Sequence, residues 1–268
     1  MAKTVRKTKE EKMAWLRRIF FLAIMLVFYP VLYNLKANSQ ATRPYSEILC
    51  GDTVNFYCIT IGDTIIKTQN GTTVTEKKAL ETWELLWPDE TERKIVMVIN
   101  RTNMRLKKGQ ILAVPCDMAN KTFMDFSPFP SQIEAPTEKM LVFDPGLLAW
   151  AAYNPTGILV RWGPAAGGRD YCPDIARSCR TKTGTFRIIR IKGPDYRSGR
   201  YPVGCSGSRC ARMPFAMFFQ DNYAFHAGDL PGYNASHGCV RLFYSDAKWL
   251  NQEFVQIGTK VVIFPYPD

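Results

Sequence analysis

The chain has 268 residues, of which 46% are hydrophobic and 13% aromatic, with a formal net charge of +11. This apolar content excludes a disordered chain, and the length suits a targeting segment followed by one or two domains. Two histidines exclude a histidine-rich metal site, and eight cysteines are typical of an exported protein rather than a cytosolic one.

Residues 1–40 are predicted to be a signal peptide or a signal-anchor helix. A basic stretch ending at Arg17 and Arg18 precedes the uncharged apolar run Ile19–Tyr33. Positive charge ahead of such a run keeps the N-terminus in the cytoplasm and exports the rest of the chain. The run is short for a spanning helix, which needs about 17–25 residues, and Ala37 and Ser39 offer a small-x-small cleavage site. Cleavage and anchoring in the inner membrane both stay open.

Residues 50–118 are predicted to form a small α+β region. It contains a strand-like stretch from Tyr57, a helix candidate at Lys77–Trp87 and an apolar run at Ile95–Ile99. Its opening Gly-Asp-Thr (62–64) and closing Leu-x-x-Gly-Gln-x-Leu-x-Val-Pro (106–115) resemble the two ends of a lysin-motif (LysM) domain, which binds peptidoglycan. The stretch between these ends is longer than usual and lacks a clear second helix. The alternative is a small domain that only packs against its neighbour.

Residues 119–138 are predicted to be a linker, because Ser127–Pro136 contains three prolines and no long apolar run.

Residues 139–268 are predicted to form a mainly β domain of ordinary size. Short apolar runs separated by turns indicate seven strands, which are Leu141–Asp144, Leu147–Tyr153, Ile158–Trp162, Thr185–Lys192, Phe215–Phe219, Tyr223–His226 and Lys260–Phe264. One helix is predicted near the C-terminus, with Ser245 or Asp246 as its cap, an apolar stripe at Ala247, Leu250 and Phe254, and Gly258 at its end.

The stretch from residue 225 to 242 carries the candidate chemistry. It contains both histidines of the chain, His226 and His237, together with Cys239. A nucleophilic cysteine needs a nearby base or cation to lose its proton at neutral pH. Gly238 before the cysteine leaves the main chain bare, so that backbone N–H groups can approach a substrate carbonyl. Taken singly, a cysteine of an exported protein is more often in a disulfide, and a histidine is more often structural.

The sequence Ser-His-Gly-Cys-Val-Arg-Leu (236–242), with His226 upstream, resembles the signature of the L,D-transpeptidase (YkuD-type) catalytic domain. Three further segments agree in order, and they are Lys182–Ile188, Pro214–Phe219 and Asp246–Phe264. The resemblance covers Met140–Phe264 and implies a β-sandwich catalytic domain with one helix near its C-terminal side. The loop after His226 is shorter than in many members, and Lys182 replaces a common proline.

The resemblance implies that Cys239 is the nucleophile and His226 the general base, with the backbone carbonyl of Ala227 orienting the imidazole. It also implies that the N–H groups of Gly238 and Cys239 form an oxyanion site. His237 is expected to line the site.

Ser236 and Arg241 are expected to shape the substrate pocket. Arg241 either holds a peptide carboxylate by a fork-shaped hydrogen bond or belongs to a structural ion pair.

The family's reaction implies the substrates. The cysteine, as a thiolate, attacks the third residue of a donor stem tetrapeptide of peptidoglycan and expels D-Ala, and an acceptor stem takes the resulting thioester, with no metal or cofactor. Water as acceptor (L,D-carboxypeptidase or hydrolase activity), attachment of a protein to the wall, and a non-catalytic wall-binding protein are the alternatives. A papain-like protease is excluded, because its cysteine precedes its histidine by far. These expectations place the protein on the periplasmic side of a bacterial envelope.

The remaining cysteines and the charge allow two further inferences. Seven cysteines besides Cys239 leave an odd thiol or an intermolecular bridge, and Cys172, Cys179, Cys205 and Cys210 allow two local disulfides, cross-pairing between the loops, or a zinc site. Residues 1–39 carry net +6, which leaves a milder +5 that suits an acidic wall and requires no nucleic acid.

Overall fold

The computed structural model describes residues 44–70 and 73–267. The predicted signal or anchor segment, residues 1–40, lies outside the described residues. Within these two ranges, no helix is both long enough and apolar enough to cross a membrane. The described residues belong to one compact unit that ends at Pro267.

Four helices and thirteen strands are named here in chain order. The helices are α1 (Tyr45–Leu49), α2 (Trp83–Leu86), α3 (Glu90–Ile99) and α4 (Tyr244–Trp249). The strands are β1 (Phe56–Thr60), β2 (Asp63–Asn70), β3 (Thr73–Leu80), β4 (Ile111–Pro115), β5 (Met140–Asp144), β6 (Ala149–Tyr153), β7 (Leu159–Ala166), β8 (Gly184–Arg187), β9 (Arg190–Ile191), β10 (Met217–Gln220), β11 (Tyr223–Ala227), β12 (Val240–Leu242) and β13 (Lys260–Ile263).

In the upstream region, β1 pairs antiparallel with β4, and α2 and α3 lie between them in sequence. A small core forms where Trp83, Trp87, Val96 and Leu112 pack together. The helix predicted over Lys77–Trp87 is wrong in its first half, since β3 runs to Leu80 and pairs with β2 along its whole length. This β2–β3 hairpin lengthens the stretch between the two end motifs at residues 62–64 and 106–115. Helix α3 is the second helix of that stretch, which the sequence does not show clearly.

Residues 119–138, predicted as a linker, make specific contacts with the sheet that comes after them. The 3₁₀ turn Phe123–Phe126 is closed by a capping box between Thr122 and Asp125. Phe129 is buried in a cluster with Trp162, and the Tyr153 hydroxyl donates to the Pro130 carbonyl at 2.9 Å. The prolines therefore shape a packed connection.

The downstream region is one nine-stranded sheet in the order β8-β13-β5-β6-β7-β12-β11-β10-β9. Two neighbouring pairs, β11/β12 and β13/β5, are parallel, and the other pairs are antiparallel. The mainly β prediction is confirmed. The sheet is continuous because Arg241 and Leu242 of β12 pair with Ala166 and Ala165 of β7. The two halves that this pairing joins also share one core, in which Phe143 packs against Phe225.

The single C-terminal-side helix is present, but its predicted cap is wrong. Helix α4 begins at Tyr244 and continues as a π turn over Leu250–Phe254. Asp246 does not cap it, because its buried carboxylate accepts from the Arg161 guanidinium at 2.8 Å. Burial raises the pKa of Asp246, and Arg161 opposes that rise.

The sheet has a different partner on each face. Alternate residues of the strands, such as Phe143, Trp150 and Phe225, form the main core with α4. On the opposite face of β10 and β11, Phe218 and Ala224 pack with Met213, and Cys239 lies against this small cluster. The candidate site lies on this second face, away from the main core.

Candidate active site

Parallel pairing of β11 with β12 brings the candidate residues together. Phe225 is level with Val240 and His226 with Arg241, so Cys239, one residue before β12, is level with Ala224. In parallel strands, residues at one level share a face and alternate residues return to it. The side chains of His226, Cys239 and Arg241 accordingly line one cleft.

His226 is held in a single orientation by its own strand. Its Nδ1 lies 2.8 Å from the backbone carbonyl oxygen of Ala227, so Nδ1 carries the proton and Nε2 keeps its lone pair. The residue is 7% exposed. Burial lowers the pKa of His226 to about 4, and the Arg241 charge acts in the same direction. The imidazole is therefore neutral near pH 7 and able to accept a proton.

Cys239 is partly buried against the small cluster beneath the cleft. Its thiol donates to the carbonyl of Asn222, with Sγ at 3.6 Å from the oxygen. Burial raises the pKa of the Cys239 thiol to about 11. The cysteine is therefore a protonated thiol at rest, so it needs a base at the moment of attack.

Ser236 shapes the turn that presents the cysteine. Its hydroxyl accepts from the Gly238 N–H at 3.0 Å and donates to the Cys239 carbonyl at 2.5 Å. The Gly238 N–H is thus occupied in this structure, in contrast to its expected role as a free oxyanion donor. Glycine is required here for another reason, since φ is +126° and an added Cβ would lie 2.8 Å from the Tyr223 ring.

The side chain of His237 is held by residues of two loops. Its Nε2 lies 2.8 Å from a carboxylate oxygen of Asp174. Its ring stacks on Tyr201, with 4.6 Å between ring centroids. It lines the cleft, as expected, and joins the Asp174 loop to the Tyr201 loop.

Arg241 is half-buried with a guanidinium that faces the cleft. Its Nη1 donates to the Asp229 carbonyl at 3.4 Å. Across the described ranges, no carboxylate lies within ion-pair distance of it. Burial lowers the pKa of Arg241, while Asp229 opposes that effect.

The cleft has a volume of about 950 Å³ and is lined by more cationic than anionic side chains. Its cationic residues are Arg190, Arg200, Arg212 and Arg241, and its anionic residues are Asp221 and Asp229. An anionic ligand suits this balance.

The cysteines fall into three disulfides and two thiols. The bonds are Cys50–Cys58, Cys172–Cys179 and Cys205–Cys210, and Cys116 and Cys239 are free. The two local pairings of the downstream loops are present, which overturns the cross-pairing and zinc alternatives. Cys172, Asp174 and His237 bring possible ligand atoms within 4.8 Å of one another, but the Cys172 sulfur is bonded to Cys179 and offers no thiolate.

Three residues of the site are not predicted from the sequence. Asp174 and Tyr201 hold His237 from separate loops, and Asn103 reaches the cleft from the upstream region. The only local feature of the sequence that could point to Asp174 is its position between two cysteines, Cys172 and Cys179, that close a short loop. Nothing local marks Tyr201 or Asn103.

Residues 135–263 match the family model described as the L,D-transpeptidase catalytic domain (YkuD). This segment is similar to an L,D-transpeptidase catalytic domain. The match confirms the resemblance carried by residues 236–242 and leaves the predicted LysM-like region, which precedes it, as a prediction. At the level of the family, an L,D-transpeptidase domain implies an acyltransferase that acts on peptidoglycan.

Solved L,D-transpeptidases resemble the chain at low sequence identity. The L,D-transpeptidase of Xylanimonas cellulosilytica (residues 123–326) is 23% identical, over 63% of this chain and 78% of that one, with a TM-score of 0.47. The enzyme from Stackebrandtia nassauensis is 22% identical over 52% and 61%, with a TM-score of 0.40. L,D-transpeptidase 1 of Mycobacterium tuberculosis is 19% identical over 47% and 61%, with a TM-score of 0.36. No curated protein matches the chain.

Proposed function

We propose that this protein is a peptidoglycan L,D-transpeptidase of a bacterial envelope in which Cys239 is the nucleophile and His226 the general base. One observation carries the proposal: within the matched segment, the parallel register of β11 and β12 puts these two side chains in the same cleft.

In the first step of the reaction, Nε2 of His226 accepts the proton of the Cys239 thiol. Since the pKa of the thiol is raised to about 11 and that of the imidazole is lowered to about 4, the neutral pair is the resting state. The proton therefore leaves as sulfur attacks the carbonyl carbon of the third residue of the donor stem. This differs from the thiolate formed in advance that the family resemblance implies.

Collapse of the tetrahedral adduct breaks the peptide bond to the terminal D-Ala. His226 returns its proton to the departing amine, which leaves a thioester on Cys239. The amine of an acceptor stem then attacks the thioester, and the crosslink forms as the thiol is regenerated. Arg241, half-buried and without a carboxylate partner among the described residues, holds a carboxylate of one stem.

The upstream region fits a wall-binding role beside this activity. Apart from the β2–β3 hairpin, which lies between β1 and α2, its order is strand, helix, helix and strand, with β1 antiparallel to β4. This order supports the LysM-like interpretation of its two end motifs. We expect the full chain carrying Cys239→Ala to sediment with peptidoglycan. Displacement by peptide-free glycan strands would support this role, whereas displacement only by free stem peptides would assign the binding to the cleft.

The test of the reaction uses the full chain and a disaccharide-tetrapeptide, with products identified by mass spectrometry. We expect loss of D-Ala and a crosslinked dimer. A product shortened by D-Ala with no dimer would instead indicate an L,D-carboxypeptidase.

Cys239→Ala should abolish both products, and Cys116→Ala, which removes the other free thiol, should abolish neither. Unchanged product formation by Cys239→Ala would exclude the mechanism. A carbapenem should add its mass to the wild-type chain and to Cys116→Ala, but not to Cys239→Ala.

A further inference from the structure

Asn103 joins the upstream region to the loop between the two catalytic strands. It lies in the turn after α3, and its side chain uses both of its polar atoms on that loop. The amide nitrogen donates to the Gly228 carbonyl at 3.1 Å, and the amide oxygen accepts from the Leu230 N–H at 2.8 Å. Both contacts join distant parts of the chain, with separations of 125 and 127 residues.

The backbone around Asn103 extends this contact. Its N–H donates to the Leu230 carbonyl at 3.3 Å, and Thr102 forms an antiparallel bridge with Pro231. Further along, the Tyr45 N–H donates to the Gly232 carbonyl at 2.8 Å. The upstream region therefore holds the first half of the loop as if it were a short added strand.

The loop that Asn103 holds is continuous with the candidate catalytic groups. Ala227, whose carbonyl orients the His226 imidazole, directly precedes Gly228. The Gly228 N–H donates to the Leu242 carbonyl at 3.0 Å, and the Asp229 carbonyl accepts from Arg241. Displacement of Gly228 would therefore be transmitted to the base on β11 and to the arginine on β12.

We propose that Asn103 is a positioning residue for the transpeptidase site: it fixes residues 228–230 and, through them, the orientation of His226 and Arg241. The inference rests on the proposed function. An asparagine suits the position because it supplies one donor and one acceptor to two backbone groups that are two residues apart. The region upstream of the catalytic domain is thereby a part of the active site.

The first test compares Asn103→Ala with Asn154→Ala in the full chain. Asn154 is a matched control, because its side chain also makes two hydrogen bonds to backbone groups, in its case by accepting from the Thr156 and Ile158 N–H groups, in a turn outside the cleft. We expect kcat to fall about tenfold in Asn103→Ala, with KM changed less than about threefold. Asn154→Ala should keep the wild-type kcat at a comparable loss of melting temperature. Equal kcat values for the two variants would overturn the proposal.

The Asn103→Asp variant distinguishes loss of the hydrogen bond to Gly228 from loss of packing, because only the hydrogen bond depends on pH. A neutral carboxyl can still donate to the Gly228 carbonyl, whereas a carboxylate can only accept and would repel it. The kcat of this variant relative to wild type should therefore fall as the pH rises from about 4 to about 7, as the carboxyl ionises. A ratio that does not change with pH would contradict the role of the Gly228 hydrogen bond.

A third measurement separates this proposal from the proposed function. Iodoacetamide alkylates a cysteine when sulfur displaces iodide and the thiol proton passes to solvent, so it reports on Cys239 whether or not peptidoglycan is the substrate. The exposed Cys116 is an internal reference. We expect the rate ratio of Cys239 to Cys116 to rise at least about threefold in Asn103→Ala, because a loosened loop exposes the site.

If the wild type forms no product but this ratio shifts, the proposed function fails and the positioning role survives. If crosslinks form and neither kcat nor the ratio responds to Asn103→Ala, only the positioning role fails.

Discussion

The two histidines lie eleven residues apart in sequence and occupy opposite kinds of environment. His226 lies on an interior strand, is 7% exposed and is oriented by a backbone carbonyl. His237 lies in the loop before Cys239, where its side chain is 25% exposed and is held by Asp174 and Tyr201. The strand-borne half of the site is thus fixed by the sheet, and the loop-borne half is fixed by other loops.

This difference indicates which properties each half supplies. Burial on a strand shifts the pKa of His226, and the direct partner of its Nδ1 is a backbone carbonyl rather than a side chain. The loop-borne half depends on partners in other loops: Asp174 lies within the loop that Cys172–Cys179 closes, and the Tyr201 carbonyl accepts from the Ala211 N–H, next to the Cys205–Cys210 bond. We therefore expect the proton chemistry to depend on the first half and the shape of the cleft to depend on the second.

The largest expected contrast is between His226→Gln and His237→Gln. Loss of the base should reduce kcat by about 10²–10⁴-fold, whereas loss of the loop histidine should cost less than about tenfold. Steady-state rates of crosslink formation measure both, with melting temperatures as the check on folding. Equal losses in the two variants would show that the base is misassigned.

The pH dependence of stability should reflect the burial of His226. The pKa of His226 is about 4 in the folded chain and 6.5 is its ordinary value, so the unfolded state binds the extra proton between these values. Stability should consequently fall as the pH drops from about 6.5 to about 4, by about 3 kcal/mol in total from this residue. Denaturant titrations of His226→Gln should lack this part of the loss. An identical pH dependence in wild type and variant would contradict the shift.

A smaller effect is expected from removing the disulfide beneath the loop-borne half. Serine at both Cys172 and Cys179 should destabilise the protein by about 2 kcal/mol, as should serine at both Cys50 and Cys58, which closes a loop of similar length. Only the first pair of substitutions should also lower kcat/KM, because Asp174 lies within that loop. The comparison fails if both double variants keep full activity.

The smallest expected effect is that of Asp174→Asn. The His237–Asp174 pair is partly exposed, so its loss should cost less than about 1 kcal/mol of stability. We expect kcat/KM to fall about threefold as the loop loosens. Asp170→Asn breaks an ion pair with Arg180 in the same loop and serves as the control, which should leave kcat/KM unchanged.

The parts of the site that sequence predicts well are those made from neighbouring residues. His226 and Cys239 belong to one short motif, and the strand that carries His226 is predicted to within one residue. The motif also places Ser236 near the site, but it does not predict the bond to the Gly238 N–H, because a motif names residues without saying which hydrogen bonds they make.

The parts that sequence does not predict depend on contacts between distant segments. Asn103 and Asp174 reach their partners across 125 and 63 residues, and neither has a local pattern that marks it. Asp246 is predicted as a helix cap because aspartate favours that position, whereas its partner Arg161 is 85 residues away. In the hairpin, residues 77–80 have helix-forming composition, yet pairing with β2 decides their conformation.

The parallel register of β11 and β12 has a consequence for engineering acceptor choice. Parallel neighbours need a crossover connection, and here residues 228–239 provide it along the rim of the cleft. Pro231 and Gly232 are tethered to the upstream region, and Ala235 and Ser236 to Gly167. Asn234 is also tethered, because its side chain accepts from the Gly167 N–H and donates to the Pro145 carbonyl. Tyr233 lies between the two sets of tethers. An insertion at this point would alter the rim while the spacing between base and nucleophile stays that of two hydrogen-bonded strands.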